Sequence, residues 1–226
     1  MEATLAPTLA TAIPAEASHP GRLRGARPRA AFQMSLSERL LVARLVRRDE
    51  EAFNEVVHQY GDRVFNLVLR MVGSRAEAED IAQEVFVTVF KSIDSFRSEA
   101  KLSTWLLRIA TNHAKNRIKY LARRREQAND TGNSDSGDLA DEGKAPAQSH
   151  IHGPDLLLEA AETEDMMQKA IAALEEDQRL LVVLRDVEEL SYEEIVEITG
   201  LPEGTVKSRL HRARMTLKQL LEDKLK

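Results

Sequence analysis

Between about residues 126 and 162 the hydrophobic period disappears, and this gap decides what the chain can fold into. The stretch reads NDTGNSDSGDLADEGKAPAQSHIHGPD through its middle: polar, acidic and rich in Gly, Ser and Pro. Such a segment buries too little apolar surface to offset its conformational entropy, so a disordered connector is predicted. On either side, apolar residues recur three and four positions apart, the spacing of one helix face. Aromatic residues make up only 4% of the chain and Val/Ile/Thr runs are scarce, which argues against a large sheet. The predicted fold is all-α: two small helical domains, residues 36–125 and 163–226, joined by a flexible acidic linker at 126–162. Residues 1–35 are read as a disordered tail, because an early acid, several prolines and late arginines leave no continuous apolar core of a signal peptide.

The front block divides into four helices. The first covers roughly 37–48. The second covers 50–72 and ends at Gly73, a residue suited to a left-handed C-cap. The third opens on Ser74-Arg75-Ala76-Glu77, a capping-box pattern, and lays Ala78, Ile81, Ala82, Val85 and Val89 on one face with Phe86 and Phe90 flanking. The fourth runs from about Leu102 to Arg124 with Ser103 as its candidate cap. It buries Leu106, Leu107, Ile109, Ala110, Ala114 and Leu121. In the rear block Thr163 is a candidate cap, Leu180 to Val187 centre a helix, and Ser191-Tyr192-Glu193-Glu194 is a second capping-box pattern. A short helix then ends at Gly200, and Pro202 opens the next one. Helix, glycine turn, helix is the helix-turn-helix unit.

A net charge of −5 conceals strong segregation. Arg97 to Arg125 holds nine Lys/Arg and one acid, a net of +8; Gln127 to Asp165 holds ten acids and one Lys, a net of −9. Met166 to Val206 holds ten acids and three bases, a net of −7; Lys207 to Lys218 holds five bases and no acid, a net of +5. Two basic islands in an acidic chain point to two contacts with a polyanion.

The two islands differ in kind. In the last helix Val206, Leu210, Ala213 and Leu217 face the core, so Thr205, Ser208, His211, Arg212 and Met215 face outward, with Lys207 and Arg209 beside them. Outward residues of the second helix of such a pair reach base edges in a major groove, while flanking cations fix register on phosphates. Arg212 suits guanine. In the front block Arg108, Asn112, Lys115 and Lys119 share one face. Trp105 lies near it, Asn116 lies at its edge, and the loop Phe96-Arg97-Ser98-Glu99-Ala100-Lys101 precedes it. Rings for stacking, cations for phosphates and amides for exposed Watson–Crick edges are what single-stranded nucleic acid requires. Core packing is an equal reading of Trp105.

The blocks DEEAFNEVVHQYGDRVFNLVLRMV, AEDIAQEVFVTVFKSIDSF and STWLLRIATNHAKNRIK resemble region two of bacterial extracytoplasmic-function (ECF) sigma factors. LSYEEIVEITGLPEGTVKSRLHRARMTL resembles their region four. The resemblance covers roughly 36–125 and 163–222 and leaves out the tail. It implies a protein that binds core RNA polymerase through the beta and beta-prime subunits, directs it to promoters and helps open the duplex. It places Asp80, Gln83 and Glu84 on the polymerase-docking segment; Val87 projects with Asp80 and Glu84 away from the apolar face of that helix. Phe96, Arg97 and Lys101 fall in the loop receiving an extruded base of the −10 element. Asn112, Lys115 and Asn116 match the helix bordering that pocket, and Arg108, Lys119 and nearby Trp105 belong to the same helix face. Lys207, Ser208, His211 and Arg212 match the positions reading the −35 element as duplex, beside Thr205 and Arg209 on the same helix. It also implies an anti-sigma partner.

Several classes of function are disfavoured. With no cysteine there are no disulfides and no thiol catalysis. No Gly-rich phosphate loop, HExxH or paired-carboxylate pattern points to an enzyme, and no cofactor or metal is called for. The histidines at 19, 58, 113, 150, 152 and 211 include one close pair, His150 and His152, without convergent ligands. No apolar run reaches the roughly 18 residues of a membrane span, so the default location is the cytoplasm. Two alternatives remain open at this stage: a helix-turn-helix regulator that binds an operator without replacing the polymerase sigma subunit, and a helical adaptor whose charges are merely solvated. Energetics favour a subunit over an independent melting protein. Opening about ten base-pair steps costs roughly 14 kcal/mol, whereas each stacked base returns only about 1–3. The 39 residues from Gln127 to Asp165 span about 130 Å when extended and about 34 Å as a coil. Promoter elements one and a half turns apart are roughly 50 Å distant, so the tether lets both bundles reach their sites. Its charge suits a basic polymerase channel.

Overall fold

A computed structural model describes residues 34–130 and 154–224, with side chains placed over 34–127 and 163–222. The tail reading, the middle of the connector and His150 and His152 lie outside the described residues.

Four helices form the front bundle: α1 (Leu36–Val46), α2 (Glu50–Val72), α3 (Arg75–Ser92) and α4 (Leu102–Asp130), with a 3-10 turn at Ile93–Ser95. Each start has a local cause. The Ser35 hydroxyl accepts from the Glu38 N–H at 3.2 Å. Asp49 accepts from the N–H groups of Glu51 and Ala52, and Ser74 accepts from Glu77 N–H. Side-chain oxygens here satisfy helix-end donors that have no intrahelical partner. The Ser74 capping box is half formed, because the Glu77 carboxylate forms an ion pair with Arg117 on α4 at 3.1 Å. Gly73 ends α2 at φ +78°, and its N–H donates to Leu69 O.

The start of α4 differs from the sequence expectation. Ser103 lies inside the helix, and the Leu102 N–H donates instead to Glu38 Oε1 of α1 at 2.7 Å. A cap can thus come from 64 residues away when the fold brings a carboxylate to a helix start.

The bundle core takes Val56, Val64, Leu67, Val68 and Met71 from α2. From α3 it takes Ala78, Ile81, Val85 and Val89, and from α4 Leu102, Leu106, Leu107, Ala110 and Ala114. Each fully buried Leu or Ile contributes roughly 1.5–3 kcal/mol relative to exposure. Ile109 and Phe86 are partly buried against this core, whereas Phe90 is exposed and stacks on Phe53 with centroids 4.6 Å apart.

The rear bundle holds α5 (Pro154–Ala172), α6 (Glu176–Val182), a π-helical turn (Val183–Val187), α7 (Tyr192–Thr199) and α8 (Glu203–Lys224). Helix α5 starts upstream of Thr163, so that residue is interior and not a cap. The capping box at α7 is complete: Glu194 N–H donates to Ser191 Oγ at 3.2 Å and Ser191 N–H to Glu194 Oε2 at 2.9 Å. Gly200 ends α7 at φ +71°, and α8 follows two residues later, with Pro202 O accepting from Thr205 and Val206. Leu180, Leu181, Val183, Leu184, Ile195, Ile198, Val206, Leu210 and Ala213 form the core.

The two bundles pack against each other, α4 on α7 and α2 on α5, α6 and the π turn. Arg63 of α2 donates to Glu188 Oε2 at 2.5 Å and Glu188 O at 3.0 Å, and the Glu188 side chain is only 6% exposed. Arg70 reaches Glu164 at 2.7 Å and Gln168 Oε1 at 3.1 Å. Arg179 gathers backbone carbonyls from both sides: Met71 O at the end of α2, and Ala172 O and Leu174 O at the end of α5.

Candidate nucleic-acid interface

Three exposed surfaces collect the residues singled out in the sequence. The first lies on α3. Its buried face leaves Asp80, Gln83, Glu84 and Val87 exposed, and they line one open groove together with Thr88 and His113 of α4. Glu84 has basic neighbours that the sequence reading overlooked: His113 Nδ1 at 3.3 Å and Arg117 Nη2 at 3.5 Å. His113 is also held at Thr88 Oγ1, 3.0 Å from Nε2. Asp80, among the described residues, has no ion-pair partner. The groove therefore ends in an acid and carries an apolar step at Val87, half exposed at 51%.

The second surface follows α4 and the loop before it. Arg97 of the loop is exposed, as are Arg108, Asn112, Asn116 and Lys119, which are spaced so that they run along one side of the helix. Ser98 adopts φ +57°, a conformation rare outside glycine, and bends the loop between Phe96 and Lys101. Phe96 and Trp105 both pack on the bundle. Each is partly buried against the core, and their rings meet at 5.3 Å and 52°, beside the cation-bearing face. Lys101 and Lys115 are not open to solvent on all sides. Lys101 Nζ lies 2.8 Å from Glu194, and Lys115 Nζ lies 3.0 Å from Asp177 and 3.9 Å from Glu176.

The third surface is α8. Val206, Leu210 and Ala213 are buried and Leu217 is partly so, which turns Lys207, Ser208, His211, Arg212 and Met215 outward. Thr205 is half-buried, and its carbonyl accepts from Ser208 Oγ at 3.1 Å. Arg209 is half-buried and donates to Asp177 Oδ2 at 3.2 Å. Lys207 is held in place by Glu203 at 2.6 Å and by the Tyr192 ring, whose centroid is 5.0 Å away.

The charges shift as these contacts require. The Lys115 hydrogen bond, followed by the Lys115 and Arg209 charges, holds Asp177 below the usual carboxylate range against partial burial. Burial acts to raise Glu194, but the Lys101 bond and the Ser191 cap together outweigh it and leave the group lowered. The Glu203 bond raises Lys207. Among the described residues no cluster of His, Asp or Glu could hold a metal ion, and no helix is long and apolar enough to cross a membrane.

Known proteins carry the same two blocks. Residues 56–126 match the Sigma-70 region 2 family, and residues 164–217 match the Sigma-70, region 4 family. The chain is 36% identical over 198 residues to the ECF RNA polymerase sigma factor SigW of Bacillus subtilis, covering 85% of this chain and 100% of SigW. It is 37% identical over 183 residues to the ECF RNA polymerase sigma-E factor of Escherichia coli, covering 79% and 91%. Among solved structures, the sigma factor RpoE of Bartonella quintana, in complex with the anti-sigma factor NepR, aligns with a TM-score of 0.53 at 25% identity over 75% of this chain and 96% of that one. CnrH, in complex with the cytosolic domain of CnrY, shares the fold with a TM-score of 0.57 at 21% identity, over 83% and 98%. A front bundle of region 2 type followed by a helix-turn-helix of region 4 type defines the sigma-70 class. Within it, the chain belongs to the ECF sigma factors, and its function is promoter-specific transcription initiation.

Proposed function

We propose that this ECF sigma factor divides its work among the three surfaces just described. Asp80, Gln83, Glu84 and Val87 dock on core RNA polymerase. Phe96, Arg97, Lys101, Trp105, Arg108, Asn112, Lys115, Asn116 and Lys119 capture the separated strand of the −10 element. Thr205, Lys207, Ser208, Arg209, His211 and Arg212 read the −35 element as duplex. Residues 36–125 and 163–226 act as the two DNA-binding domains, with 126–162 as the tether between them. The protein works in the cytoplasm, contacts both the beta and beta-prime subunits, and is held in check by an anti-sigma factor, as the sigma factor from Bartonella quintana was solved with one.

The observation that carries this reading is the pair of one-sided helices. Helices α4 and α8 each bury an apolar stripe, and each carries an outward face rich in cations and hydrogen-bonding side chains, with no acid between Leu102 and Arg125 on α4 or between Lys207 and Lys218 on α8. On α4 that face adjoins two aromatic rings, which suits stacked single-stranded bases. On α8 it follows a glycine turn, which suits a major groove. Run-off transcription with purified core polymerase tests the division. Asn112→Ala lowers duplex opening, read by permanganate reactivity, while leaving −35 duplex binding intact. Arg212→Ala weakens recruitment to promoters carrying the −35 element. Equal transcription by both variants and the unaltered chain refutes the assignment. So does efficient promoter opening by the chain without polymerase.

A further inference from the structure

A single carboxylate connects the two faces that the proposed function gives to DNA. Asp177 Oδ1 accepts from Lys115 Nζ of α4 at 3.0 Å, and its Oδ2 accepts from Arg209 Nη1 of α8 at 3.2 Å. A second bridge closes the loop side of α4: Lys101 Nζ donates to Glu194 Oε1 at 2.8 Å. The other oxygen of Glu194 is fixed by the Ser191 N–H in the α7 capping box, so this acid is presented from a rigid helix start. Glu176 stands 3.9 Å from Lys115 and adds charge of the same sign. All three acids belong to the segment with a net charge of −7 between the two basic islands. Three cations assigned to nucleic-acid contact are thus already bonded to carboxylates of the rear bundle.

This arrangement cannot persist on a promoter. The two elements lie roughly 50 Å apart along the duplex, whereas ion pairs such as Lys115 to Asp177 and Lys101 to Glu194 require contact. We propose that Asp177 and Glu194 are internal phosphate mimics: they hold the free chain closed, with Lys101 and Lys115 of the −10 face and Arg209 of the −35 face paired to its own acids, until polymerase and DNA compete them away. This rests on the functional reading above. Exposed ion pairs each bias an equilibrium by no more than about fivefold. The latch is therefore weak enough to be opened by binding, yet strong enough to lower affinity by the fraction of chains that are open. It also gives the rear bundle's acids a use beyond solvation.

The absence of cysteine makes the test direct. Arg123→Cys on α4 and Glu222→Cys on α8 accept a pair of spin labels or fluorophores, and the inter-label distance is read in the full chain. The unaltered background gives one dominant distance population. Asp177→Asn with Glu194→Gln, which keeps the shape of both side chains and the cap acceptor, shifts population to longer distances. The same double variant raises affinity for a −35 duplex by about threefold to tenfold without polymerase. Glu51→Gln with Glu55→Gln, an equal loss of two charges on α2, which carries neither face, changes neither. An unchanged distance distribution in the double variant, with circular dichroism confirming its fold, overturns the latch. If the distances respond while Asn112→Ala and Arg212→Ala transcribe normally, the latch stands and the DNA assignments fall. The converse pattern removes the latch alone.

Discussion

Replacing Glu38 tests whether the long-range cap on α4 matters. Its carboxylate accepts the Leu102 N–H at 2.7 Å, and the group is half-buried. A hydrogen bond to a charged acceptor contributes about 1.5–3 kcal/mol, and loss of a helix N-cap typically costs about 1. Partial exposure places Glu38→Ala between these, at about 1–2 kcal/mol. Glu38→Gln keeps an acceptor and loses the charge, so about half that cost is expected. For a chain of this size each kcal/mol lowers Tm by about 2–4 °C. Urea unfolding is the assay, because Trp105 is the only tryptophan and lies three residues from the capped amide. Its fluorescence reports the start of α4 directly. The midpoint falls while the slope with denaturant is unchanged. If Glu38→Ala and Glu38→Gln both stay within about 0.3 kcal/mol of the unaltered protein, the bond is incidental and the cap assignment is wrong.

Gly200→Ala costs about 1–2 kcal/mol, since the position requires φ +71° and strain is the only penalty where no atom lies within 4 Å. Gly61→Ala, inside α2 with equally open surroundings, instead stabilises by about 0.5–1 kcal/mol; thermal melts distinguish the two. Lys207→Ala weakens binding to all duplexes alike and reduces the slope of log K against log salt by about one. Arg212→Ala costs about 1–3 kcal/mol on the cognate −35 sequence alone, read by competition binding. The depressed pKa of Asp177 gives the sign of a pH effect. Its contribution is complete above the ordinary carboxylate value near 4 and is lost as pH falls through the lower folded value. The inter-bundle contact should therefore be flat between about pH 8 and 5 and weaken only below about 4, followed by the same paired labels.

The helices were legible wherever their causes are local. The Gly73 and Gly200 stops, the Ser191 capping box and the buried stripes of α3, α4 and α8 all follow from spacings of three and four residues. What escaped was set by distant chain segments. Glu38 replaces Ser103 at α4 because α1 folds across its start, and no window of a few residues contains both groups. Thr163 has the chemistry of a cap, but α5 begins at Pro154 and its first turns, Leu156-Leu157-Leu158-Glu159-Ala160-Ala161, read in sequence as part of the polar connector that precedes them. The charge islands were visible as sums along the chain. Their pairing was not, because Lys101 meets Glu194 and Lys115 meets Asp177 only after the bundles pack. Likewise Glu84 looked like an open acid on α3, whereas α4 brings His113 and Arg117 beside it.

Arg179 sets the order in which the seam comes apart. Its guanidinium binds main-chain oxygens at the ends of α2 and α5, and peptide carbonyls do not titrate and are little affected by dissolved salt. The Lys115–Asp177 and Lys101–Glu194 bridges are vulnerable to both. Ionic strength or acid will therefore loosen these bridges first, while the arginine's hold on the two helix ends persists. A partner that must spread the halves fully has to supply something else for those oxygens to bond.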